Sequence, residues 1–152
     1  MGRFISAESR ADLDVLLNES LPFAKHLLEK NGEFYPFGVS MGIKGDSRHC
    51  AGYDGKEFPP SDALIDLIER GLGQEAKMGQ IRAACICMDV RVLRQSETEK
   101  VDAIKMVFEH LTGDAVEVFL PYERGSAGNI EYGEMFAQKR VPTIFHAGEA
   151  GR

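Results

Sequence analysis

The stretch "KMVFEHLTGDAVEVFL", residues 105–120, constrains this chain more than any other. Two runs of alternating apolar residues flank Leu111-Thr112-Gly113, and period-two alternation marks strands with one buried face. A two-residue Thr112-Gly113 loop would set Phe108 opposite Glu117 and Val107 opposite Val118. A three-residue loop instead sets Ile104, Met106 and Phe108 opposite Leu120, Val118 and Val116, which makes one apolar face. It also gives Gly113 the third loop position, where a left-handed residue and a bulge are needed. A slip of one residue would mix the faces. A hairpin of strands 100–110 and 114–122 is therefore expected, with His110 opposite Asp114 at its tip.

The remaining elements follow from the same kind of periodicity. Leu13, Leu17, Leu21, Ala24 and Leu28 recur at spacings of three and four, one face of a helix. Ser6 suits its start and Asn31-Gly32 its end, while Pro22 either kinks or divides it. Tyr35 to Ile43 alternates as a strand, Gly45-Asp46 turns, and Arg48 to Tyr53 returns. Ser61 is a candidate N-cap for a second helix whose buried face is Leu64, Ile65, Ile68 and Leu72. Gly79 stops that helix. Residues 81–93 are apolar on both sides and so read as a central strand. Glu123 to Asn129 reads as a loop, Ile130 to Phe136 as a strand or helical turn, and Val141 to Phe145 as a short strand. The expected fold is α+β: one domain spanning 1–152, with a mainly antiparallel sheet of five or more strands and two helices in the order α-β-β-α-β-β-β.

Gly38-Val39-Ser40-Met41-Gly42 fits G-x-S-x-G, the serine-hydrolase elbow. That motif needs a sharp strand-to-helix turn. Here the alternation runs unbroken through Ser40 and a hairpin turn follows, so Ser40 is expected to be a strand residue and not a nucleophile. Gly38, Ser40 and Gly42 form a row of small side chains. Ala83, Cys85 and Cys87 form a second row on the third strand. Such rows seat a helix closely or leave a shallow cleft for a ligand.

The chain has three cysteines. Cys85 and Cys87 share a face of their strand, and His49-Cys50 lies on another, which invites a zinc or redox reading. The spacing is not that of a zinc finger, and buried free cysteine behaves as a small hydrophobe. No metal and no cofactor is expected. Met1-Gly2 with Ser6 fits a myristoylation pattern that lacks a second anchor. Asn18-Glu19-Ser20 fits a glycosylation sequon but falls within the expected first helix.

A formal net charge of −6 disfavours nucleic acid and anionic membranes as main partners. No apolar run approaches a membrane span and no signal peptide is evident, so a cytoplasmic location is expected. A His110–Asp114 pair can orient an imidazole for acid/base work, although at a hairpin tip it more commonly serves structure. Tyr122, Tyr132 and Glu134 flank the 123–129 loop and, with Ser40, His110 and Asp114, are the candidate ligand or interaction surface. Glu109, Glu117 and Glu123 read as solvated. No residue is assigned a catalytic role.

The order of elements resembles that of profilin-like and roadblock-like folds, which implies a binding or dimerisation module and assigns no residues. The leading expectation is a non-catalytic interaction or regulatory protein. Its partner would be a protein, whether a basic one masked in the manner of an immunity protein or a second copy in a homodimer. The alternatives are a ligand-binding domain or small enzyme using the face around Ser40, Cys85 and Cys87, and a metal or redox site on the cysteines.

Overall fold

A computed structural model describes residues 5–51, 60–93 and 98–145. In chain order the elements are α1 (Ala7–Asn31), β1 (Phe37–Gly42), β2 (Ser47–Ala51), α2 (Ser61–Lys77), β3 (Ile81–Leu93), β4 (Lys100–His110), β5 (Ala115–Arg124), β6 (Ile130–Tyr132) and β7 (Phe136–Lys139). The fold is α+β, and the described residues form seven strands in one antiparallel sheet ordered β2-β1-β3-β4-β5-β6, with β7 also paired to β5. Because β2 and β3 both run antiparallel to β1, they are parallel to each other, and α2 is the crossover between them. Among the described residues no helix is long and apolar enough to cross a membrane.

The β4–β5 hairpin has the expected register, with Ile104↔Leu120, Met106↔Val118 and Phe108↔Val116. Gly113, at φ 97°, holds the left-handed position that a side chain would resist. Helix α1 starts where expected: the Ser6 side chain accepts from the Ser9 amide at 3.4 Å. It ends at Gly32, φ 81°, whose N–H donates to the Leu28 carbonyl at 2.8 Å.

Several boundaries differ from expectation. Pro22 does not divide α1, which runs through it as one helix of 25 residues. The apolar α1 residues most deeply buried are Leu13, Leu16, Ala24 and Leu28, with Leu17 and Leu21 at the margin of the core. Ser61 is the first residue of α2 and not its cap; Pro60 holds that place without a side-chain bond. Residues 130–136 form strand at both ends, as β6 and the start of β7. Strand β2 is described to Ala51; the expected extension to Tyr53 lies outside the described residues.

Each face of the sheet carries its own core. Phe37, Val39, Met41, Ala83, Cys85, Cys87, Met106 and Phe108 meet α1. Ala84, Ile86, Met88 and Val107 meet Ile68 and Leu72 of α2. β3 is buried on both faces because both helices lie over it, which explains its continuous apolar run.

Residues 141–145 were expected to be a strand, but they form a strap docked on the α2 side. Ile144 and Phe145 are buried there among Ile68, Leu72 and Val107. Their amides do not join a ladder. The Glu109 carboxylate accepts from the Ile144 amide at 2.8 Å, from Phe145 at 3.0 Å and from Thr143 at 3.1 Å. Arg140 Nε donates to the same carboxylate at 2.8 Å and Nη1 to Glu117 at 3.2 Å. Glu109 is 0% exposed, so the solvated reading of Glu109 is wrong. Glu117 is also drawn inward, between Arg140, Gln138 and Lys105. A buried carboxylate needs such partners, because desolvation without them costs several kcal/mol, on the order of what a whole domain can spare.

Candidate functional site

The candidate residues divide between two ends of α1 and the opposite face of the sheet. At the N-terminal end, the β4–β5 turn lies against the first turns of the helix. His110 Nε2 lies 2.8 Å from Asp12 Oδ2, and the Thr112 amide donates to His110 Nδ1 at 3.1 Å. Since Nδ1 accepts, Nε2 must carry the proton and donate to Asp12. The imidazole is thus fixed in one orientation, with both ring nitrogens engaged. Arg82 closes the cluster through Nη2 to Asp12 Oδ1 at 2.9 Å and Nη1 to the Ile43 carbonyl at 3.0 Å. Burial alone would raise the Asp12 carboxyl, but hydrogen bonds from Arg82 and His110 outweigh it and hold it below the ordinary range.

The partner expected for His110 was Asp114, and in side-chain terms this is corrected. The two residues pair through backbone only, His110 N–H to Asp114 O at 2.9 Å. The Asp114 carboxylate turns to the start of α1. It accepts from the Ser9 hydroxyl at 2.5 Å, the Ser6 hydroxyl at 2.7 Å and the Ser6 amide at 3.0 Å. The reason is electrostatic: a helix N-terminus offers free N–H groups and a positive dipole end. Burial opposes ionisation there, yet the bonds from Ser9, Ser6 and Thr112 bring the carboxyl down to about 2.

The C-terminal end of α1 is held by a second polar group. Tyr132 donates to Glu29 at 2.7 Å, with Lys25 lying 4.6 Å above its ring. Arg124 donates to the Gly32 carbonyl. Tyr122, directly opposite Tyr132 in the β5–β6 ladder, donates to Asp89 at 2.6 Å beneath the helix. Burial raises the Asp89 carboxyl, and neighbouring Asp102 and Glu33 add to this, against the Tyr122 bond. Burial and the adjacent carboxylates raise both phenols as well.

On the other side of that edge, Glu123 and Glu131 are direct cross-strand partners. Both are exposed, as is Glu134 just beyond. A cleft of about 230 Å³ lies here, lined by Val101, Pro121, Glu123, Glu131, Tyr132 and Gly133 among others.

Ser40 does not share a surface with Cys85 and Cys87, which corrects the expected common face. Ser40 pairs with Ala84 and Val39 with Cys85. Directly opposed residues share a face and neighbours alternate, so Ser40 looks toward α2 while Cys85 and Cys87 look toward α1. Ser40 is 2% exposed. The row containing Gly38 is covered by helix α2: a Cβ on Gly38 would lie 3.1 Å from Ile68 Cγ2 and 2.8 Å from Cys50 Sγ. Cys85 Sγ lies 3.9 Å from Cys87 Sγ and 3.6 Å from Ser20 Oγ, all buried under α1. Burial lifts the Cys85 thiol well above its ordinary value. Cys50 opposes Gly38 and faces the other way, so it cannot join Cys85 and Cys87 around one ion. Among the described residues no three His, Cys, Asp or Glu side chains cluster as metal ligands.

The residues that periodicity missed are Asp12, Arg82, Asp89, Glu109 and Arg140. Only Asp12 left a usable signal, since it falls at helical spacing between the buried Ser9 and Leu16. Comparison with protein-family models, with curated proteins and with solved structures finds no match.

Proposed function

We propose that this chain is a non-catalytic interaction module that binds a basic protein partner along the acidic edge of β5 and β6. One observation carries the first half of this reading. His110, the side chain best suited to acid/base work, commits both ring nitrogens to structure, one to Asp12 and one to the Thr112 amide. A general base needs a lone pair aimed at substrate. Asp114, Tyr122 and Tyr132 are likewise engaged in holding α1 or the sheet beneath it.

Charge sets the chemistry of the partner. Like charges placed directly opposite destabilise a ladder. Glu123 and Glu131 are so placed, and among the described residues neither has a cation within salt-bridge distance. A lysine or arginine from outside would relieve that repulsion. Glu134, Tyr132 and Pro121 extend the surface with a further carboxylate and apolar contact. The net charge of −6 favours fast encounter with a basic surface.

The test is an NMR titration with a short lysine- and arginine-rich peptide at several salt concentrations. The expected shifts centre on residues 121–124 and 130–134, weaken with salt, and vanish in Glu123→Lys/Glu131→Lys. Shifts spread evenly over the surface, or unchanged by the charge reversal, would overturn the reading.

A further inference from the structure

We infer that the chain self-associates through strand β2, pairing antiparallel with β2 of a second copy about a twofold axis at His49. Among the described residues β2 has a neighbour on one side only, β1. Among the described residues no strand pairs with its other side, whose backbone groups are a template for another strand. The side chains on both faces of that edge are compatible with their own copies, which makes a second copy the occupant.

On the α1 face stands an aromatic cluster that is not finished. His49 is exposed and stacks nearly parallel to Phe37 at 6.3 Å. Phe23 meets His49 edge-on at 5.3 Å and Phe37 edge-on at 5.0 Å. Phe23 nevertheless keeps 39% of its surface exposed, although it lies among aromatic neighbours. Antiparallel pairing about His49 sets this residue against itself. It brings the two Phe23–His49 pairs together over the axis, where aromatic side chains dominate interface energetics.

On the α2 face the same register sets Arg48 opposite Cys50 of the second copy, while on the α1 face Ser47 comes opposite Ala51 on either side of His49. No like charges are placed directly across from each other. Each Arg48 already has Glu75 beside it, so two guanidinium–carboxylate pairs flank the axis and neither cation enters the interface unpaired. Cys50, Ala51, Leu67, Ile68 and Gly71 border a groove of about 350 Å³ at this edge. An added Cβ on Gly71 meets nothing within 4 Å, so the helix offers room for the incoming Arg48 stem. A symmetric, isologous contact of this kind closes on itself as a dimer. It lies at the sheet edge opposite the acidic β5–β6 surface, so the two readings stand or fall separately.

The experiment uses sedimentation velocity and native mass spectrometry of the full chain at micromolar concentration. A dimer is expected, and Phe23→Glu/His49→Glu should convert it to a monomer with an unchanged far-UV circular dichroism spectrum. A second measurement fixes the register. Opposed antiparallel Cα atoms lie about 4.5–5.5 Å apart, within disulfide reach. In a Cys50→Ala background, His49→Cys should form an intermolecular disulfide under mild oxidation, and Arg48→Cys should not. A monomeric chain, a dimer unaffected by the Phe23/His49 variant, or equal cross-linking at positions 48 and 49 would overturn the inference.

Discussion

Ser40 and Cys85 sit on neighbouring strands, one register step apart, and face opposite helices. A reagent that reaches one therefore says nothing about the other, and the two faces can be probed separately.

The thiols are the simplest probe. Cys85 and Cys87 are 0% exposed and Cys50 is half-buried at the sheet edge. In native protein a maleimide should label Cys50 slowly, since burial and the nearby Glu75 raise its thiol too. Cys85 and Cys87 should label only when the chain unfolds. Cys85→Ala/Cys87→Ala should cost about 1–2 kcal/mol per site through lost packing. Mass spectrometry after a labelling time course checks the first expectation and urea unfolding the second. Prompt native labelling of Cys87 would contradict it.

Asp114 makes stability depend on acid. Its carboxyl titrates at about 2 in the folded chain, against about 3.9 when unfolded. The group is therefore depressed by folding. Its contribution is complete above about pH 5 and drains away as pH falls through about 2. Asp12 is shifted in the same direction. Urea midpoints measured from pH 5 to pH 2 should fall steeply. Asp114→Asn should be less stable at pH 7 and lose less on acidification. A parallel fall in both proteins would show that the Ser6–Ser9–Asp114 bonds contribute nothing.

Glu109 should be the costliest polar residue to remove. Glu109→Ala leaves Arg140 Nε and three amides, those of Thr143, Ile144 and Phe145, without their acceptor. Breaking a buried pair from one side costs about 3–5 kcal/mol. Glu109→Gln keeps an acceptor and should cost less. Hydrogen exchange at the amides of residues 143–145 should accelerate in both variants before the amides of β4 do. Unchanged protection of these amides would show that the strap is held by Ile144 and Phe145 alone.

Gly38 tests the helix seat. Gly38→Ala places a methyl against Ile68 and Cys50, and overpacking of this kind costs about 1–3 kcal/mol. Adding Cys50→Ala should recover part of the loss, because the nearest clash is with its sulfur. A thermal melt of the single and double variants measures both. Full stability of Gly38→Ala would mean that α2 does not press on this strand.

Much of the fold was legible because its signals are local. The register of β4 and β5 follows from alternation and from Gly113, and the ends of α1 follow from Ser6 and Gly32. The polar contacts were not legible, because their partners are far apart in the chain. Asp12 meets His110 and Arg82, and Glu109 meets Arg140, across distances that no periodicity spans. Ser40 and Cys85 were wrongly joined because a row of small residues shows parity within one strand, whereas the shared face depends on how two strands are aligned. Residues 141–145 read as a strand since Ile144 and Phe145 are apolar, yet their amides are satisfied by a side chain.

The Glu109 strap also has a consequence for synthesis. The α1-side core draws on residues up to 132 and on Ala137 of β7. The α2-side core waits for Ile144 and Phe145. A chain emerging from the ribosome therefore passes through an interval in which Ile68, Leu72 and Val107 lack their last cover. During that interval Glu109 sits on the same bare face, a charge next to sticky side chains, where it discourages a neighbouring nascent chain from settling until the chain's own residues 143–145 arrive.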